Sequence, residues 1–258
     1  MADKAKERIG LPIYGRIRED IFKRLPDGRE VLLERRPWRR NKIVDSAGQL
    51  LAGLLANYVG FTGGILYHAI GQGNAGWGVS PPDPGDGDTT LYDEVFRKQP
   101  ATIVFVQEVE GQADSGTYDT IVDAARTEAD DYWNGMMITV TAGTNAGLSR
   151  LIKDFQNSSG TITVDEPFPA PIDSSSEYEI DEPVTVPPFT DKIEVKTVFS
   201  FGDGPDGFDM REQGLFGGTA TATLDSGIMI NALRHPPMYK DHTIKIVRYI
   251  QLDFVRTT

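Results

Sequence analysis

The sequence predicts a mainly β protein of the α+β type, with an antiparallel β-sheet core, one principal helix and an inserted small β-barrel-like module. Short apolar runs alternate with Gly-, Pro- and Asn-rich turns along most of the 258 residues, which is typical of antiparallel strands. Only one segment places its apolar residues at helical spacing. A central segment has turn signals of its own, so we expect it to fold as a separate module.

Composition limits the function classes. A hydrophobic content of 39% is sufficient for a folded core, and a net charge of -12 disfavours nucleic acid and anionic membranes as partners. The absence of cysteine excludes disulfides and thiolate zinc sites, and three histidines leave few imidazole sites. We therefore expect no metal and no cofactor. The charged first ten residues predict no secretory signal, and glycines interrupt the uncharged stretch 46–82, so we expect no membrane helix.

Residues 1–40 are predicted to form a basic N-terminal arm that contains a hairpin and is either solvated or docked on an acidic body, its own or that of a neighbouring subunit. Residues 1–44 hold 13 Lys and Arg against 7 Asp and Glu, whereas residues 45–258 hold 13 against 31. Asp27-Gly28 predicts a tight turn between two strands. An aromatic residue flanked by guanidinium groups is typical of strong protein contacts, although such a run could also bind phosphate. The candidate interface residues are Arg35, Arg36, Trp38, Arg39 and Arg40.

Residues 41–116 are predicted to form the first half of a core domain. Apolar residues from Ile43 to Leu55 recur at helical spacing and predict a helix that ends near Asn57. The segments that follow are interpreted as a buried strand at 65–70, a surface loop at 81–88, a helical turn at 91–98 and a strand at 101–106. We interpret His68, within the first of these strands, as a hydrogen-bonded sheet residue.

Residues 117–182 are predicted to form the inserted β module, and residues 183–258 the second half of the core. Short Gly and Asn turns precede three strands in the module, at 136–141, 148–155 and 161–164. A proline-rich linker at 181–188 then leads to strands at 192–201, within 217–230 and at 243–255.

Several motifs could carry chemistry, but none is specific. Gly71 to Gly76 has the letters of a dinucleotide-binding loop, yet Trp77 and two prolines follow where a helix must begin, so we interpret it as a turn. The acidic loops 83–88 and 203–209 lack the ligand order of an EF-hand, and turn formation is favoured over calcium binding. Carboxylates that could form a glycosidase pair are too numerous to choose between: Asp130, Asp131, Glu177, Glu179 and Asp181. His235 and His242 have no nucleophile motif beside them. An enzyme is therefore the weaker class.

The order of these parts resembles structural proteins of tailed bacteriophages, especially tail fibre, collar and baseplate components. The resemblance lies in the helical run 41–57, the Gly turn 70–73, the acidic loop 81–88 and the segment 89–98. It continues in 211–217, 227–240 and 244–254. Residues 133–147 resemble a small β module that is inserted in various virion proteins.

This resemblance implies a structural virion protein of the tail. It would assemble in the host cytoplasm, as a homo-oligomer that contacts other virion proteins. A head-decoration or head–tail connector protein is the alternative within that class, because the arm lies outside the pattern. From another class, a carbohydrate-binding or carbohydrate-cleaving receptor module would use Trp77 or Trp133 as a stacking platform.

Overall fold

The computed structural model describes residues 13–184 and 191–254, and it shows a mainly β chain in which the strands pair antiparallel. Strands hold more than half of these residues, and one α-helix lies among them. The predicted fold class is therefore confirmed. The chain divides into two units, which we call the sandwich unit (Met1–Ile103 with Ile193–Thr258) and the inserted unit (Val104–Lys192).

The sandwich unit contains eight strands and the helix α1 (Ser46–Leu55). The strands are β1 (Ile13–Arg24), β2 (Glu30–Ile43), β3 (Gly63–Gly71), β4 (Glu94–Lys98), β12 (Lys192–Phe199), β13 (Phe208–Gly218), β14 (Ile228–Lys240) and β15 (Ile244–Phe254). Their hydrogen-bonded order is β4-β3-β13-β14-β2-β1-β15-β12. β2 forms the corner between the two halves of this order, because it pairs with β1 along its length and with β14 only at its end.

The core of the sandwich unit lies between these two halves. Ile17 of β1 and Ile250 of β15 are buried in one cluster with Leu215 of β13 and Leu50 of α1. Alternate residues of β1 therefore face the core, as expected for a strand with a period of two. The second face of β13 and β14 is also buried, around Phe216 and other residues near it.

Residues 13–40, predicted to form an arm, are instead part of this sheet, because β1 lies between β2 and β15. The basic charge balance of residues 1–44 is typical of a solvated segment, but the consecutive charges Arg18, Glu19 and Asp20 lie inside the sheet. All three are buried, at 5% exposure or less. The hairpin itself forms where Asp27-Gly28 predicted it. Residues 1–12 of the predicted arm lie outside the described residues.

Three predicted elements differ from the structure. α1 begins at Ser46, because Lys42 and Ile43 pair with β14 and extend β2 instead of starting the helix. Residues 94–98 of the predicted helical turn at 91–98 form β4, which pairs with β3. The predicted strand within 217–230 is the end of β13, a turn and the start of β14. Local spacing predicts the element type poorly where tertiary pairing satisfies the backbone in another way.

The inserted unit is a small barrel of antiparallel strands. The strands are β5 (Thr102–Gln112), β6 (Ser115–Gly116), β7 (Thr120–Val122), β8 (Met137–Val140), β9 (Ser149–Gln156), β10 (Thr161–Val164) and β11 (Glu177–Val184). Their pairing runs β5-β11-β8-β9-β10-β7-β6. The two residues between β5 and β6 hydrogen bond to both ends of this order, Ala113 to Ser176 beside β11 and Asp114 to Val122 of β7, and this closes the barrel. A cluster that includes Trp133, Phe155 and Tyr178 fills the interior.

The boundaries of the inserted unit are wider than the predicted 117–182. β5 supplies a wall of the barrel, since it pairs with β11 over eight residues, and the unit therefore begins at Val104. The predicted strands of this unit correspond to β8, β9 and β10. Of the predicted linker 181–188, residues 181–184 belong to β11 and residues 185–188 lie outside the described residues.

The hairpin turn provides a stability test. Gly28 has φ of +86°, in the left-handed region that side chains disfavour. We expect Gly28→Ala to lower the free energy of unfolding by about 1 kcal/mol, measured by urea denaturation. Gly48→Ala is the matched control, because Gly48 is exposed within α1 and its added methyl group meets open space. That variant is expected to raise stability by up to about 1 kcal/mol. Equal effects of the two changes would contradict this account of the turn.

No helix within the two described stretches is long and apolar enough to cross a membrane.

Candidate assembly surfaces

A buried ion cluster lies where β1, β2 and β15 meet. Glu19 is fully buried, and its carboxylate accepts hydrogen bonds from Arg248 at 2.7 Å and from Arg39 at 2.6 Å, with Arg36 at 3.7 Å. Burial alone would raise the pKa of Glu19, but Arg248 and the other arginines lower it to about 2. Two predicted interface residues, Arg36 and Arg39, therefore reach inward to Glu19.

A β-bulge at Pro37 determines which of the predicted residues lie on each face of the sheet. Pro37 and Trp38 together lie opposite the single residue Arg18, because the register of β2 against β1 shifts there. Proline has no amide hydrogen to donate, so a bulge on an edge strand accommodates it. The extra residue breaks the alternation, and Arg36 and Arg39 share a face although they are three positions apart.

The opposite face of this part of the sheet carries stacked cations and rings. We call it the cation–aromatic face, and it consists of Arg16, Arg18, Trp38, Arg40, Lys196 and Tyr249. The guanidinium carbons of Arg16 and Arg18 lie 5.0 and 5.9 Å from the ring centre of Trp38. Arg18 also lies 4.0 Å from the ring centre of Tyr249, and the ammonium group of Lys196 lies 5.4 Å from it. Such contacts orient long cationic side chains and limit their freedom.

Three of the predicted interface residues lie on this outer face. Arg35 forms an ion pair within the sheet, whereas Trp38 and Arg40 can contact a partner. Arg35 pairs with Asp20 at 2.9 Å, and Asp20 also accepts from Arg18. Arg40 is exposed and forms no ion pair within the described residues. The ring of Trp38 is half-buried, and its indole N–H is buried without an acceptor among the described residues, so only the exposed part of the ring can meet a partner. Trp38 and Arg40 can therefore contact a partner without breaking an existing bond.

The sequence analysis did not identify Arg16, Lys196 and Tyr249, which complete this face. Arg16 and Arg18 flank the buried Ile17, so the two-residue period of a strand is the signal that could have placed both arginines on one face. No local signal places Lys196 or Tyr249 there, because they reach the face only through the sheet order.

A stripe of carboxylates runs across β5 and β11 of the inserted unit. Its members are Glu108, Glu110, Glu177, Glu179 and Asp181. Glu110 lies directly across from Glu179, and Glu108 across from Asp181. Like charges in directly opposite positions destabilise a sheet. Lys192 offsets part of this repulsion, because its ammonium group contacts Glu108 and lies 3.4 Å from Asp181.

One end of this stripe forms an open cleft of about 570 Å³. Glu110, Glu177 and Glu179 line it together with polar residues such as Gln112 and Thr141. At the other end, oxygens of Glu108, Glu179 and Asp181 lie within 4.8 Å of one another, a spacing that a metal ion could use. The chain places its own cation, Lys192, beside two of them. The cleft at the first end, which we call the carboxylate cleft, is the part that can attract an external cation.

The remaining candidate carboxylates, those of a glycosidase pair or a calcium site, form contacts that stabilise loops. Asp130 accepts from the backbone N–H of Asn157, and Asp131 accepts from the side chain of Asn134, both at 2.7 Å. In the acidic loops, Asp88 pairs with Arg234 at 2.9 Å, and Asp203 accepts from Lys98. These contacts fit the interpretation of both loops as turns.

The Gly71 to Gly76 motif leads into a three-residue 3-10 turn at Ala75–Trp77. This turn is too short to offer a row of helix N–H groups to a pyrophosphate, so the loop is a turn at the end of β3.

Histidine and tryptophan side chains have packing roles. His68 is buried in β3 and hydrogen bonds to Gln213 at 2.8 Å, as predicted, and His235 is buried beside Arg248. Trp133, proposed as a sugar platform, is only 2% exposed and belongs to the barrel core, so that assignment is wrong. Trp77 is half-buried, with Arg234 4.6 Å from its ring centre.

The C-terminal end of α1 exposes apolar side chains. Leu55 is 77% exposed, Tyr58 59% and Val59 98%. Three such residues within five positions form an apolar projection, and exposed apolar surface of this kind marks contact sites.

No protein-family model matches this sequence, and no curated protein matches it.

Proposed function

We propose that this chain is a structural subunit of a tailed-bacteriophage virion, most fittingly of the tail, and that it functions by contact with neighbouring subunits. The observation that supports this best is the cation–aromatic face. Trp38 is held there by the stacked Arg16 and Arg18, and the neighbouring Arg40 is exposed with no ion pair to break among the described residues. Pre-ordered aromatic and arginine side chains are the usual anchors of protein interfaces.

The use of the polar side chains supports the same proposal. Several polar side chains that could serve a reaction are packed against partners within the sandwich unit, as for His68 with Gln213 and Glu19 with Arg248. The apolar projection at Leu55, Tyr58 and Val59 adds a second surface that a neighbour would cover.

Immunogold labelling of purified particles tests this function directly. Antibodies raised against the purified chain are expected to label the tail of particles from the phage that encodes it. Labelling of the capsid surface, or of the head–tail junction, would favour the alternative of a head-decoration or connector protein. Particles that lack the chain altogether would contradict a structural role.

A further inference from the structure

We infer that the cation–aromatic face of one copy of this chain binds the carboxylate cleft of a second copy. This inference rests on the proposed function as an assembling subunit and names the partner of the face. The two surfaces are different, so the contact is heterologous.

The division of charge between the units favours a second copy as the partner. The inserted unit holds 17 Asp and Glu against 4 Lys and Arg, a balance of -13, whereas the rest of the chain has a balance of +1. The strand that carries Arg40 belongs to the most basic part of the chain. Complementary fields steer two such surfaces together and disfavour contact between like surfaces.

The face is suited to side-chain contact rather than strand addition. Among the described residues, β14 pairs only with Lys42 and Ile43 of β2, so the outer edge of β2 from Glu30 to Asn41 has no strand beside it. Two bulges and Pro37 interrupt that edge, and such interruptions prevent an added strand from forming a regular ladder. Contact through Trp38 and Arg40 is the route that remains.

The charge of the carboxylate cleft favours the binding of a cation. Glu110 and Glu177 are exposed at its rim, and Glu110 lies directly across from Glu179. A guanidinium group beside the exposed Glu110 or Glu177 could donate two parallel hydrogen bonds to its carboxylate. The cleft volume of about 570 Å³ has room for an arginine head group and part of an indole ring.

The geometry of the contact determines the form of the assembly. A contact between two different surfaces leaves one of each unused on every pair, so further copies add until a ring closes or a filament forms. Only a twofold dimer in which the face of each copy meets the cleft of the other would stop at two copies.

Charge reversal in the full-length chain tests this contact by sedimentation velocity at low and high salt. We expect the wild-type chain to self-associate at low salt, and Arg40→Glu or Glu177→Lys each to weaken association about tenfold or more. Mixing the two variants is expected to restore assembly, because each variant surface then meets its complement on the other. The matched controls are Arg29→Glu and Glu166→Lys, which make the same charge changes at exposed sites outside the contact, and they are expected to assemble normally.

Three outcomes would overturn the inference: a wild-type chain that stays monomeric, controls that weaken association equally, or variants that assemble normally. Binding of a fluorescent oligonucleotide that needs Arg40, without self-association, would instead assign the face to nucleic acid. If virions contain the chain but both variants assemble normally, this contact is refuted and the structural function is not. If the chain assembles through this contact but no virion contains it, the proposed function is refuted and the contact is not.

Discussion

Replacing Glu19 by glutamine is expected to lower the free energy of unfolding by about 3–5 kcal/mol. Glu19 and Arg248 are both fully buried, and their 2.7 Å bond joins them within the sandwich core. Glutamine keeps the shape of the side chain but removes the charge, so the Arg248 guanidinium stays buried without its counter-ion. Urea denaturation of the purified variant gives the measurement.

Glu34→Gln is the matched control for this prediction. Glu34 also pairs with an arginine of β2, Arg36, but its side chain is 51% exposed, and we expect a change of less than about 1 kcal/mol. The double change Glu19→Gln with Arg248→Met should be less destabilising than Glu19→Gln alone, because it removes the stranded cation. A Glu19→Gln protein as stable as the control would show that the cluster does not hold the hairpin in the sheet.

Acid is expected to destabilise the fold from about pH 6.5 downward. Burial lowers the pKa of both His68 and His235 from 6.5 to about 3. Between these values the unfolded chain binds more protons than the folded chain, so stability is complete above pH 6.5 and falls as the pH decreases toward 3. Each histidine contributes a slope of up to about 1.4 kcal/mol per pH unit. Glu19 adds to the loss in the same direction, between pH 4.5 and about 2.

Urea denaturation midpoints measured from pH 8 to pH 4 test this pH dependence. A midpoint that stays constant between pH 7 and pH 5 would contradict it. Nuclear magnetic resonance of the folded protein gives an independent reading, since the ring protons of His68 and His235 should not shift between pH 8 and pH 5. A ring that titrates near pH 6.5 in the folded state would show that its histidine is not held neutral.

Turn chemistry and strand periodicity were sufficient to predict the general fold. Asp27-Gly28 predicted the β1–β2 hairpin, and the Gly and Asn turns predicted β8, β9 and β10, because these residues adopt backbone conformations that others disfavour. The burial of Arg18, Glu19 and Asp20 could not be predicted in this way. Their partners include Arg248, which is 229 positions from Glu19, and no local pattern reveals such a pair.

The candidate assembly surface was predicted only in part. The sequence pointed to five residues on β2, and the structure places two of them, Arg36 and Arg39, against Glu19. A prediction that assumed strict alternation would place Arg36, Trp38 and Arg40 on one face. The bulge at Pro37 changes that outcome, and its position depends on the register with β1.

The interrupted edge of β2 has a consequence for the unassembled chain. A long exposed strand offers its amide groups as a template on which further chains can stack into cross-β fibrils. Pro37 removes one donor from that template, and the two bulges turn neighbouring amides out of line. We therefore expect newly made copies not to stack into fibrils through the backbone of this strand. Contacts of this strand with a neighbouring subunit then depend on its side chains.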